Sequence, residues 1–250
     1  LSSRVRASYL AAYAGISAAI YYIFLWLPGL PAVGLPELRI ELGASIAPIL
    51  GIVLGPYVGF IAVLVGNIVK SLTPPSPYGM PFILAAPLSA LGAGLLVEKK
   101  WKEPMAIMLV MLIASMFTPP FNPITEYWYV YMFAFFDKIA ALLITPLAAV
   151  LLKKGSKYFY ASLYLIFLIS RELDKAFGCF VFSLPVVYSG VFGISEVSVV
   201  RMLFMVNPAF YVIEYFIEAA IAFAIAIPLV KALSKAPGLI ETLHLKHLKT

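Results

Sequence analysis

Residues 41–60 read ELGASIAPILGIVLGPYVGF. After Glu41 this stretch holds no charge, and Gly55-Pro56 interrupts its apolar run. Proline offers no backbone donor and clashes with the preceding helical turn, and glycine-proline pairs mark tight turns. The stretch therefore predicts two short apolar helices, about 42–54 and 57–72, joined by a sharp reversal. Apolar helices without a polar face belong in lipid, where a helix satisfies its own backbone.

The rest of the chain agrees. It has 250 residues, 63% hydrophobic and 12% charged, with a mean hydropathy of +0.99. A soluble domain is about half apolar and about a quarter charged, so a globular enzyme, a disordered chain and a nucleic-acid reader are all excluded. Further apolar spans are expected at 7–27, 80–97, 104–118, 127–152, 158–192 and 206–233. The alternating pattern of a barrel is absent. The fold class is all-α: a polytopic integral membrane helix bundle of about six to eight transmembrane helices in the cell membrane. Residues 1–236 form one transmembrane domain, and 237–250 a short basic cytoplasmic tail.

Lysine and arginine placement sets the orientation. Arg4 and Arg6, then Lys99, Lys100 and Lys102, then Lys153, Lys154 and Lys157, then Lys231, Lys235, Lys246 and Lys249 all fall on one side if eight spans alternate. Arg39, Lys70 and Arg201 fall on the other. The positive-inside rule then predicts both termini in the cytoplasm. The net charge of +6 reports this orientation rather than a nucleic-acid partner. The outward connections are rich in proline, at Pro28, Pro31 and Pro36, at Pro74, Pro75 and Pro77, and at Pro119, Pro120 and Pro123. Two readings stay open: short stiff loops, or lids over an outward-facing cavity.

Charges inside the spans locate the candidate chemistry. Asp137 and Lys138 fall in the sixth span, Arg171, Glu172, Asp174 and Lys175 in the seventh, and Glu214 and Glu218 in the eighth. Each costs about 2.5–3.5 kcal/mol at a helix centre facing lipid, so they must pair or face a watery cavity. Arg171 with Asp174, and Glu172 with Lys175, stand three apart and can meet on one helix. The acids outnumber the bases, which suits a polar pocket for a substrate with a basic or hydrogen-bonding group, or a proton relay. Trp128 and Tyr131 are candidates to stack on a flat ligand, and Asn67, Lys70 and Asn207 to join the same mouth. One cysteine and two tail histidines supply no metal cluster, haem ligation or nucleophile–base dyad. No Walker motif is present. An enzyme is not expected, and no cofactor.

The first helix places small residues at Ala7, Ala11, Gly15 and Ala19, with a parallel stripe at Ala14 and Ala18. Such stripes allow close helix approach, either within the protein or to a partner. The run Glu41 to Phe60 with its Gly55-Pro56-Tyr57-Val58-Gly59 turn, the helix ending near Asn67 and Lys70, the alanine-rich first helix and the closing helix from Asn207-Pro208 to Leu233 together resemble the substrate-binding S components of energy-coupling factor (ECF) vitamin transporters. The resemblance implies a substrate-capture subunit that binds a small polar or aromatic vitamin-like molecule from outside. It also implies separate ATPase subunits and a transmembrane coupling subunit that docks on Ala7, Ala11, Gly15 and Ala19. Two other readings remain: a proton-coupled secondary transporter using Asp137, Glu214 and Glu218, or a structural subunit of a larger membrane complex.

Overall fold

A computed structural model describes residues 3–32, 34–154, 156–206, 208–233 and 235. Helix α1 (Ser3–Phe24) leads into an antiparallel two-stranded ribbon, β1 (Gly29–Ala32) and β2 (Leu35–Glu41). A 3-10 turn over Leu42–Ile46 opens α2 (Ala47–Leu54), and α3 (Pro56–Ser71) doubles back on it. There follow α4 (Ala85–Val97), α5 (Lys102–Ser115), α6 (Ile124–Lys153) and α7 (Phe159–Phe182). The chain closes with a single turn, α8 (Pro185–Tyr188), then α9 (Val197–Val206) and α10 (Pro208–Leu233). Helix α7 is central and packs against α4, α5, α6 and α10, while α2, α3 and α4 pack on one another and α1 lies along α3.

The reversal expected at Gly55-Pro56 is present. Gly55 has φ +90° and ψ +165°, a conformation open to glycine, and Pro56 occupies the first turn of α3, where its missing N–H costs nothing. Small residues bring the neighbouring helices into backbone contact. A Cβ built on Gly51 would lie 1.9 Å from the Ala90 carbonyl oxygen, so any larger residue there would push α2 and α4 apart.

Membrane character follows from what the bundle leaves outside. Ile16, Ile23, Leu143, Val186 and Ile213 are exposed, a surface that lipid solvates and water does not. The segments Met80–Val97, Ile124–Lys153 and Phe210–Leu233 are long and apolar enough to cross a bilayer alone. The stretches Ser8–Phe24, Leu42–Leu54, Pro56–Ser71 and Val197–Val206 are apolar but shorter.

Two regions depart from the expected pattern. The proline-bearing connection after α1 is a ribbon, with Pro31 opposite Arg39. A two-stranded ribbon is all edge, where a missing proline donor is tolerated. The expected long span 158–192 stops at Phe182. Leu184, immediately before Pro185, is extended at φ −81° and ψ +133°, because a proline ring disfavours helical geometry in the residue before it. The chain then runs through α8 to α9, which lies in what was expected to be a loop. Residues 237–250, the expected tail, lie outside the described residues.

Candidate functional site

The C-terminal halves of α1, α3 and α7 meet the N-terminal halves of α4, α6 and α10 around a cavity of about 410 Å³. Its size falls within the range of about 300–1,000 Å³ typical of small-molecule sites. Rings of Phe82, Phe182, Phe204, Tyr211 and Tyr215 wall it, with Leu25, Leu35 and Ile40 beside them. Arg39, Glu41, Asn67, Lys70 and Ser71 line its partly exposed mouth, and Lys138, Arg171, Asp174 and Lys175 its deep end.

The deep end is a set of ion pairs. The Arg171 guanidinium forks onto Glu218, with Nε 2.8 Å from Oε2 and Nη2 2.9 Å from Oε1. Its Nη1 donates to Asp174 Oδ2 at 2.5 Å and reaches the Ala44 carbonyl at 3.4 Å. One side chain, 1% exposed, thus ties α7 to α10 and to the turn before α2. Lys138 Nζ donates to Asp137 Oδ2 at 2.8 Å and to the Tyr215 hydroxyl at 3.2 Å. Lys175 Nζ lies 3.1 Å from Glu214 Oε1 and over the rings of Tyr211 and Tyr215 at 5.6 and 5.3 Å. Arg171 therefore meets Asp174 as the three-residue spacing implied. Lys175 instead bonds Glu214 on the next helix, and buried Glu172 keeps one carboxylate oxygen, Oε2, without a partner among the described residues.

The layering matters chemically. Lys138, Arg171 and Lys175 border the cavity, whereas Asp137, Glu172, Glu214 and Glu218 do not. Of the five acids only Asp174 borders the cavity, and it is held by Arg171; the other four sit behind the bases, so the cations outnumber the acids facing the ligand space. Hence the surplus gives no ground for a substrate with a basic group. Removing one partner from such a buried pair costs about 3–5 kcal/mol.

The mouth is built differently. Lys70 Nζ stands 3.7 Å above the Trp26 ring, and among the described residues neither it nor Arg39 forms an ion pair. Asn67 donates through Nδ2 to the Ile83 carbonyl at 3.0 Å, which leaves its amide oxygen available. Burial pushes the Glu41 carboxyl above its ordinary value, with nearby Lys70 opposing.

Other expected site residues are placed elsewhere. Trp128 is 60% exposed and edges onto Tyr129. Tyr131 is buried among Phe121 and Phe135 and donates to the Leu112 carbonyl at 3.0 Å. Helix α9 packs on α6, and Phe204 lies against Phe121, 4.9 Å between centroids. Only Ala134 and Lys138 of α6 reach the cavity. Asn207 lies outside the described residues.

On α1, Ala18 is buried, while Ala11, Gly15 and Ala19 are exposed, and a Cβ on Gly15 would meet nothing within 4 Å. The side chain of Ala7 lies outside the described residues.

The model of one protein family, described as the ECF-type riboflavin transporter S component, matches residues 8–157, more than half of the chain. The chain belongs to this S-component family. Neither the curated proteins nor the solved structures contain a match to it. As an S component it is the substrate-binding subunit of a vitamin transporter, embedded in the membrane, and not an enzyme. The matched segment carries the mouth, with Glu41, Asn67 and Lys70, and one deep pair, Asp137–Lys138. The Arg171, Lys175, Glu214 and Glu218 cluster lies beyond it.

Several cavity residues carried no sequence signal strong enough to single them out. Tyr21 and Leu25 continue the inward face of α1 begun by Ala14 and Ala18, at helical spacing. Arg39 and Glu41 arrive by the ribbon. Phe82, Phe182 and Phe204 come from segments that read only as apolar.

Proposed function

We propose that this S component captures a flavin, riboflavin or a close derivative, from the outer side of the membrane. The carrying observation is the aromatic cavity above a cationic deep end: rings to stack on a flat tricycle, and polar groups of Asn67, Ser71 and Lys175 to hydrogen-bond its edge and side chain. The family match supports the vitamin class, and riboflavin is the vitamin named in the family's description. The mouth belongs to the end that carries Arg39, Lys70 and Arg201, opposite the lysine-rich ends at 99–102 and 153–157. The positive-inside rule thus supports an outward mouth and cytoplasmic termini.

Energy comes from separate ATPase subunits through a transmembrane coupling subunit. The exposed small stripe of α1 is the face on which that subunit docks. Ala11→Leu or Gly15→Leu adds bulk there and abolishes uptake in the assembled transporter while riboflavin binding survives; a protein that no longer folds would mean internal packing instead. Asp137, Glu214 and Glu218 each bond a cation, which favours this reading over a proton-coupled transporter. The test is titration of the purified protein with riboflavin, followed by flavin fluorescence. Stacking in the cavity predicts saturable quenching with one site per chain. Absence of any saturable change would sink the flavin assignment.

A further inference from the structure

We infer that the ligand of this cavity carries an anionic group at its outer end, held at the mouth by Lys70 and Arg39. The inference rests on the reading of the cavity as the substrate site and narrows its substrate class. The cations on the lining fall into two groups. At the deep end, Lys138, Arg171 and Lys175 each have a carboxylate within 3.1 Å, so they present hydrogen-bond donors with their charge already balanced. At the mouth, Lys70 and Arg39 have no ion-pair partner among the described residues. Lys70 stands 3.7 Å above the Trp26 ring, which holds the ammonium in place without neutralising it, and the Glu41 carboxylate lies near enough to offset part of its charge. Glu41 is the one acid lining the mouth among the described residues, and one carboxylate cannot balance two cations.

A net-positive mouth above a balanced, ring-walled interior sorts a ligand by its own polarity. The flat, uncharged body goes inward and the anion stays outermost, where partial desolvation strengthens its attraction to Lys70 and Arg39. A phosphate monoester or a carboxylate at the end of a flexible side chain meets that description. A neutral ligand leaves both cations unanswered, and a cationic one is repelled.

The test compares riboflavin with its phosphate monoester, flavin mononucleotide, by fluorescence titration of the purified protein. The phosphate should tighten binding about tenfold at low ionic strength, the worth of one charge-assisted hydrogen bond, and the advantage should shrink as salt rises. Lys70→Gln combined with Arg39→Gln should erase the preference, weakening flavin mononucleotide about tenfold more than riboflavin. Lys70→Arg, which keeps the charge, should retain it. Riboflavin binding as tightly as its phosphate, or a preference that survives in the double variant, overturns the inference. If neither flavin binds, the flavin assignment fails separately, and mass spectrometry of the molecules released from the purified protein decides. An anion there supports the charged mouth, and a neutral or cationic compound contradicts it.

Discussion

The two ends of the cavity hold the same kinds of side chain and use them in opposite ways. At the deep end, Arg171, Lys138 and Lys175 are bound to carboxylates on α6, α7 and α10 and are nearly or fully buried. At the mouth, Lys70 and Arg39 are accessible and, among the described residues, without ion-pair partners. A charge in a membrane protein is therefore not by itself a ligand site. Where its counter-charge is built in, it fastens helices, because lipid makes an unpaired ion far costlier than a paired one. Where no counter-charge is built in, it is available to a ligand.

The largest effect expected from this contrast is at Arg171. Arg171→Gln strands Glu218 and Asp174 and should destabilise the protein by about 3–5 kcal/mol, seen as a large drop in melting temperature in detergent. Adding Glu218→Gln neutralises the orphaned carboxylate and should recover part of the loss. An Arg171→Gln protein that melts normally would mean that the deep end fastens nothing.

Lys70→Gln should show the reverse. Its stability should change by about 1 kcal/mol or less, the worth of an exposed cation–ring contact, while affinity for an anionic flavin drops. A melting-temperature loss comparable to that of Arg171→Gln would remove the distinction between the two ends.

Tyr21→Phe sharpens the comparison between them. The Tyr21 hydroxyl is buried without a hydrogen-bond partner among the described residues, so deleting it should stabilise the ligand-free protein by about 1 kcal/mol. A clear decrease in melting temperature would show that the hydroxyl is bonded after all. Smallest of all is Trp128→Ala. On the outer surface of α6, away from the cavity, this change should stay within about 0.5 kcal/mol and leave flavin affinity as it was. Weaker binding would return Trp128 to the ligand.

The bundle was legible because lipid imposes a coarse rule that one sequence obeys openly: long uncharged runs, a glycine-proline reversal and lysines gathered at alternate ends. The ribbon was hidden because prolines that would disqualify a central strand are tolerated in a pair of edges. The end of α7 was legible in Pro185 but was outweighed by the apolar residues on both sides of it. In the site, the sequence pointed to the charged positions without revealing their depth. Spacing along one helix could suggest Arg171 with Asp174, yet no spacing rule connects Arg171 to Glu218 or Lys175 to Glu214, which meet only once α7 and α10 pack. The same limit misplaced the aromatic wall. Trp128 and Tyr131 stand near the charges in sequence, whereas Phe82, Phe182 and Phe204 converge from three separate elements.

The central claim is that a flavin lies between the aromatic rings, above the paired charges and below Lys70 and Arg39. A structure of the protein determined with riboflavin bound tests it directly. The tricyclic ring should lie between Phe82, Phe182, Phe204 and Tyr211, with its side chain directed toward Lys70 and Arg39 and the Arg171–Glu218 fork unchanged. A flavin found in the side groove of Leu30, Phe210 and Ile217, or one that displaces Glu218 from Arg171 to bond that guanidinium itself, would contradict it.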